Sequence, residues 1–149
     1  IAALLRGTLN EGDQAGSYLF EATEMLLDSL EDGEVWPALY VRWELGLLSA
    51  LGFGLDLDTC AISGENDGLT HVSPKTGRAV RGSEAEEYVD RLLALPAFLI
   101  DPKQPASAAD VAAGLELTGV FIERRLFHTN NRDMPEPRRR LYARLQKRT

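Results

Sequence analysis

Residues 36–51 place apolar side chains around most of a helical circumference, and this stretch limits the fold more tightly than any other part of the chain. Leu39, Trp43, Leu47 and Leu51 form one line at four-residue steps, and Val41, Leu45 and Leu48 form another. A helix that is apolar on nearly every side has to be enclosed by other elements, so this one is expected to be the central core helix. Trp36-Pro37 marks its start, because proline lacks only an amide that a first turn leaves unbonded. Gly52 and Gly54 mark its stop.

The elements around it are expected to be helical. Residues 1–9 have the character of a helix end, and Gly12, Asp13 and Gly16 of a turn. Tyr18, Leu19, Ala22, Met25, Leu26 and Leu30 recur at three- and four-residue steps, which predicts a helix with one buried face. Residues 56–82 break the pattern. Gly64, Gly68, Gly77, Gly82 and Pro74 predict a small turn-rich insertion able to hold a short β-hairpin. Ser83 with Glu86, and Ser107 with Asp110, have the spacing of helix-starting caps. The first predicts a helix through Tyr88, Val89, Leu92, Leu93 and Leu95. The second predicts one whose buried face is Val111, Leu115, Thr118, Ile122 and Leu126. Gly114 and Gly119 weaken that helix by ~1 kcal/mol each relative to alanine, which points to close packing against a neighbour. A last basic helix carries Leu141, Tyr142 and Leu145. The expectation is a mostly α helical bundle with one insertion, and 149 residues suit a single domain of ~100–150.

Charge is distributed unevenly. Residues 1–121 hold 7 basic and 20 acidic side chains, and residues 122–149 hold 9 and 3. An acidic body repels a polyanion, so phosphate contacts are expected in the last segment. No apolar run reaches the ~20 residues of a membrane helix, and no signal pattern opens the chain. One cysteine, Cys60, agrees with a reducing compartment. A cytoplasmic location is expected. The chain begins at Ile1 within an apolar stretch, so further sequence is expected upstream.

The run Trp43-Glu44-Leu45-Gly46-Leu47-Leu48-Ser49-Ala50-Leu51-Gly52-Phe53-Gly54 continues through Cys60-Ala61-Ile62-Ser63-Gly64 and His71-Val72-Ser73-Pro74-Lys75-Thr76-Gly77-Arg78. Together with Leu95-Pro96-Ala97-Phe98-Leu99 and Leu117-Thr118-Gly119, it resembles the helical carboxy-terminal part of alphaproteobacterial RecO proteins. The resemblance implies a recombination mediator with an amino-terminal OB-fold, absent from this sequence and expected upstream. It also implies a zinc-finger-like insertion. Implied partners are RecR, the carboxy-terminal tail of single-stranded DNA-binding protein, and single-stranded DNA held mainly by the OB-fold. Strand annealing, RecA loading and association with the nucleoid during repair would follow. In zinc-bearing relatives Cys60 would begin a Cys-x-x-Cys pair, but here Ser63 stands in the second place. A lone thiol, even with His71, leaves too few ligands for zinc. A degenerate, metal-free insertion over 56–82 is therefore expected, and no cofactor.

No Walker loop, dinucleotide fingerprint or nucleophile elbow is present. His71 and His128 lack partners at catalytic spacing, and Glu84, Glu86 and Glu87 suit a solvated helix start. The chain is not expected to be an enzyme. Two binding sites are expected. Arg138, Arg139, Arg140, Arg144, Lys147 and Arg148 form the one basic cluster, either a solvated helix face or a contact for DNA phosphates. Arg42 is the only basic residue of the apolar helix, with Leu39, Leu45 and Gly46 one turn away. It would either pair with a neighbouring glutamate or hold the carboxylate of an acidic peptide whose apolar end lies beside it. A helical adaptor that binds only protein is the competing reading of the whole chain.

Overall fold

A computed structural model describes residues 1–8 and 16–149, with side chains from 1–6 and 19–149. Leu9, the expected turn at Gly12 and Asp13, and the Tyr18 side chain lie outside them. Among the described residues, six α-helices run α1 (Ala2–Thr8), α2 (Gly16–Asp28), α3 (Trp36–Ala50), α4 (Gly82–Ala85), α5 (Ala108–Phe121) and α6 (Glu136–Gln146). Three short strands, β1 (Leu69–Val72), β2 (Ala79–Arg81) and β3 (Leu93–Ala94), form an antiparallel sheet in the order β2-β1-β3. No helix of the described residues is long and apolar enough to cross a membrane.

The apolar helix sits at the centre, as its sequence requires. Helices α2 and α5 both pack on α3, and α6 closes over α5. Val41, Leu47 and Leu48 are fully buried, and Tyr40 stacks on Trp43 with ring centroids 5.8 Å apart. Pro37 lies in the first turn of α3, and Gly52 follows its end at φ 86°, a left-handed value that favours glycine. The predicted face is buried at Val111, Leu115 and Thr118 of α5 and continues at Ile122 and Leu126 beyond its end. Its start is a true capping box: Ser107 Oγ accepts the Asp110 amide at 3.1 Å, and Asp110 accepts the Ser107 amide at 2.9 Å. Gly114 allows α5 to pack closely on α3, since a Cβ there would stand 2.8 Å from Val41 Cγ1.

Two expectations need correction. Ser83 and Glu86 form no capping box. Helix α4 has no side-chain cap, gives way to a 3-10 turn over Glu86–Arg91, and the chain then extends at Leu92. Leu93 and Ala94 pair with Val72 and His71, so hydrogen bonds to β1 replace the predicted helix. On α2, Leu19 and Leu26 are buried, but Met25 and Leu30 are exposed and do not extend that face. Within residues 56–82 the chain turns repeatedly, with Gly64, Gly68 and Gly77 at positive φ. The expected hairpin is there as β1 and β2, yet its third strand comes from beyond it.

Helix α5 runs into a π-helical turn over Ile122–Phe127 and a 3-10 turn over His128–Asn130. Asn131 at φ 53° then reverses the chain, and Pro135 and Pro137 set up α6.

Candidate partner-binding groove and its buried anchor

The central helix carries a carboxylate, Glu44, that is fully buried. A buried charge is costly unless it is paired and hydrogen-bonded, and here four donor bonds meet it. Arg138 donates from Nε to Oε2 at 2.6 Å and from Nη2 to Oε1 at 2.9 Å, the two-pronged geometry that suits guanidinium and carboxylate. The Tyr40 hydroxyl donates to Oε2 at 2.9 Å, and the Thr118 hydroxyl to Oε1 at 2.7 Å. Arg138 also donates to the Leu115 carbonyl at 2.8 Å. Burial opposes the charge of Arg138, but the adjoining Glu44 carboxylate outweighs it and raises the guanidinium pKa. Burial, then the Glu44 charge, pushes the Tyr40 hydroxyl far above its ordinary range. Gly119 makes room for this cluster, because a Cβ there would stand 3.2 Å from Arg138 Nη2.

This corrects the expectation for Arg138. It is only 5% exposed and its guanidinium is taken by Glu44, so it cannot reach DNA phosphates. Arg139, Arg140, Arg144, Lys147 and Arg148 remain exposed. Arg140, Arg144 and Lys147 recur at four- and three-residue steps and so share one side of α6 and its end. Arg139 lines a cleft with Glu116, Glu123 and Tyr142, whereas Arg148 lines another with Gly33, Glu34 and Ser107.

On the α2 side of α3, Leu39, Arg42 and Gly46 line a shallow groove of about 150 Å³ together with Trp43, Ala22, Met25 and Leu26. The structure therefore joins three of the four residues read from the sequence, but Leu45 does not line the groove. The expected alternative for Arg42, a salt bridge to a neighbouring glutamate, is not formed among the described residues. Arg42 instead donates to the Phe98 carbonyl from Nη2 at 2.9 Å and from Nε at 3.3 Å, and to the Pro102 carbonyl at 3.4 Å. Its guanidinium carbon lies 5.6 Å from the centre of the Phe98 ring. These partners fix the guanidinium without neutralising it. Trp43 is fixed in turn by its indole bond to Thr23 Oγ1 at 2.9 Å, and Met25, 67% exposed, forms a loose apolar rim. Such a surface can take an apolar side chain and offer a cation to the carboxylate beside it.

Cys60 is buried at the turn that precedes Gly64, and its sulfur accepts amides of Ile62 (3.4 Å), Ser63 (3.5 Å) and Arg81 (3.3 Å). Burial raises the thiol pKa, but the hydrogen bonds from Ser63, Arg81 and Ile62 outweigh it and bring the pKa down to about 7. His71, on β1, bonds Thr70 Oγ1 at 2.8 Å, and His128 faces Glu123 at 3.2 Å. Among the described residues, no three His, Cys, Asp or Glu side chains are grouped so as to hold a metal ion.

Comparison with known proteins joins these features to a family. Residues 1–134 match the family model described as recombination protein O C terminal. The DNA repair protein RecO of Hyphomonas neptunium is 70% identical over 145 residues, which is 97% of this chain and 60% of that protein. The protein of the same name from Methylorubrum populi is 50% identical over 131 residues, 84% of this chain and 53% of that protein. The one from Phenylobacterium zucineum is 50% identical over 145 residues, 97% of this chain and 59% of that protein. The chain thus spans about 60% or less of the length of these curated relatives. No solved structure matches it.

Proposed function

The chain belongs to the RecO family of DNA repair proteins, and from that premise we propose that it is the helical part of a recombination mediator that works by holding partners in place. Its groove takes the carboxy-terminal tail of single-stranded DNA-binding protein. The apolar end of the tail lies between Leu39, Gly46 and Met25, and its carboxylate meets the outer edge of Arg42. The observation that carries this reading is the Arg42 guanidinium itself: held by carbonyls, beside an apolar groove, with no carboxylate paired to it among the described residues. In the longer protein an upstream OB-fold supplies most of the affinity for single-stranded DNA, RecR is a second partner, and strand annealing and RecA loading follow. The proposed mechanism involves no covalent step, no cofactor and no metal in the 56–82 segment, and the proposed location is the cytoplasm, at the nucleoid during repair.

Titration calorimetry with the tail peptide tests the groove. Arg42→Ala should weaken binding by about tenfold or more, because charge-assisted hydrogen bonds contribute ~1.5–3 kcal/mol, and Arg42→Glu should abolish it. Unchanged affinity in both variants would sink the assignment. The acidic balance of residues 1–121 favours a second reading, an adaptor that binds only protein. A strand-annealing assay on the longer protein separates the two, since an adaptor would not stimulate annealing.

A further inference from the structure

Cations from two distant parts of the chain meet on the face where the β1–β2 turn touches the π-helical segment. Arg124 reaches the Pro74 carbonyl at 3.5 Å, on the turn whose next residue is the exposed Lys75. Arg125 donates to the Phe53 carbonyl at 3.2 Å and lies across the Phe121 ring, its guanidinium carbon 4.7 Å from the ring centre. Gly77 allows this approach. A Cβ there would stand 3.0 Å from Arg125 Nη2 and 3.1 Å from Leu55 Cδ2, and its φ of 73° favours glycine in any case. Arg78, on the same turn, shares its charge with Asp56 at 3.6 Å. Lys75, Arg124 and Arg125 have no carboxylate partner among the described residues, and Glu123 faces His128. Phe53, whose carbonyl anchors Arg125, is 40% exposed. Unpaired cations on segments held to an exposed aromatic residue are the combination that fits single-stranded nucleic acid: cations for phosphates, a ring for a base.

We propose that the face formed by Phe53, the turn bearing Lys75 and Arg78, and the π segment bearing Arg124 and Arg125 is a docking surface for single-stranded DNA. The choice of DNA rests on the repair role proposed above. The location does not, and it differs from the basic last helix to which the sequence pointed. Phosphates lie along Lys75, Arg124 and Arg125, and one base stacks on Phe53. The test is fluorescence anisotropy of a labelled oligothymidylate over a range of salt, with Arg42-dependent binding of the tail peptide measured on the same proteins. The Lys75→Glu, Arg124→Glu double variant should weaken DNA binding more than about tenfold and flatten the log–log salt dependence by about 1.4, at roughly 0.7 per lost phosphate contact. Phe53→Ala should weaken it by about tenfold with the slope unchanged. Peptide binding should persist in all of these variants, which shows that the fold is intact. The proposal is overturned if the unaltered chain does not bind the oligonucleotide. It is overturned equally if affinity is unchanged in the Lys75/Arg124 and Phe53 variants while Arg140→Glu with Arg144→Glu abolishes binding. In that last case the last-helix contact and the repair reading stand and only this face is lost.

Discussion

Glu44 and Arg138 set the terms at the scale of single residues. Removing one member of a buried pair leaves the other charge enclosed without compensation, at a cost of about 3–5 kcal/mol. Arg138→Ala should therefore lower the stability in urea by about that amount. The double change Glu44→Met, Arg138→Met should recover most of the loss, because well-packed apolar residues can replace such a pair. A single variant that costs less than about 1 kcal/mol would be in the range of an exposed pair and would contradict the enclosure. The pair was half legible in the sequence. Arg138 stands three, four and seven residues before Leu141, Tyr142 and Leu145, so it shares the inward face of its helix. What hid it was composition: in Arg138-Arg139-Arg140 all three look alike, and the carboxylate that selects one of them lies 94 residues away. Arg42 was the reverse case. Its place on the apolar helix and two of its groove neighbours could be read directly, but its bonds to Phe98 and Pro102 depend on a loop that only the fold brings near.

At the scale of elements, the two candidate caps show where local reading ends. Ser107 and Asp110 satisfy each other and open α5 as their spacing predicts. Ser83 and Glu86 have an equally good spacing, but β1 offers Leu93 and Ala94 a ladder partner, and tertiary pairing prevails over a local preference. The turn at Cys60 joins the same sheet through the Arg81 amide, and this has a consequence for pH. The thiol pKa is about 7 in the folded chain, below the ~8.5 of a free thiol. Between these values the unfolded chain binds more protons, so stability should rise with pH across that window and fall as pH drops through 7. Urea midpoints measured at pH 6 and pH 8.5 should show this rise in the unaltered chain and lose it in Cys60→Ala. An equal rise in both proteins would remove the thiolate from the account.

At the scale of the molecule, the mostly helical class and the central place of α3 followed from hydrophobic periodicity. The three-stranded sheet did not, because β3 is two residues long and carries no strand pattern of its own. The family match ends at residue 134, yet the fold does not close there: α6 supplies Arg138 and the buried Leu145, and it covers α5. A chain ending at residue 134 should leave Glu44 unpaired and lose its cooperative unfolding transition, with near-ultraviolet dichroism collapsing while far-ultraviolet dichroism largely remains. A sharp transition in that shortened chain would show that α6 is dispensable.

Arg42 and Glu44 are two residues apart on one helix, so they point in directions roughly 200° apart. One faces the groove and the other the anchor of four bonds. The central helix thus behaves as a keyed shaft. The key at Glu44 fixes its angle of rotation, and the angle fixes where the Arg42 fork points. A substitution at Thr118 or Tyr40, deep in the core and out of reach of any peptide, would turn the shaft slightly and register at the groove as a misaligned fork.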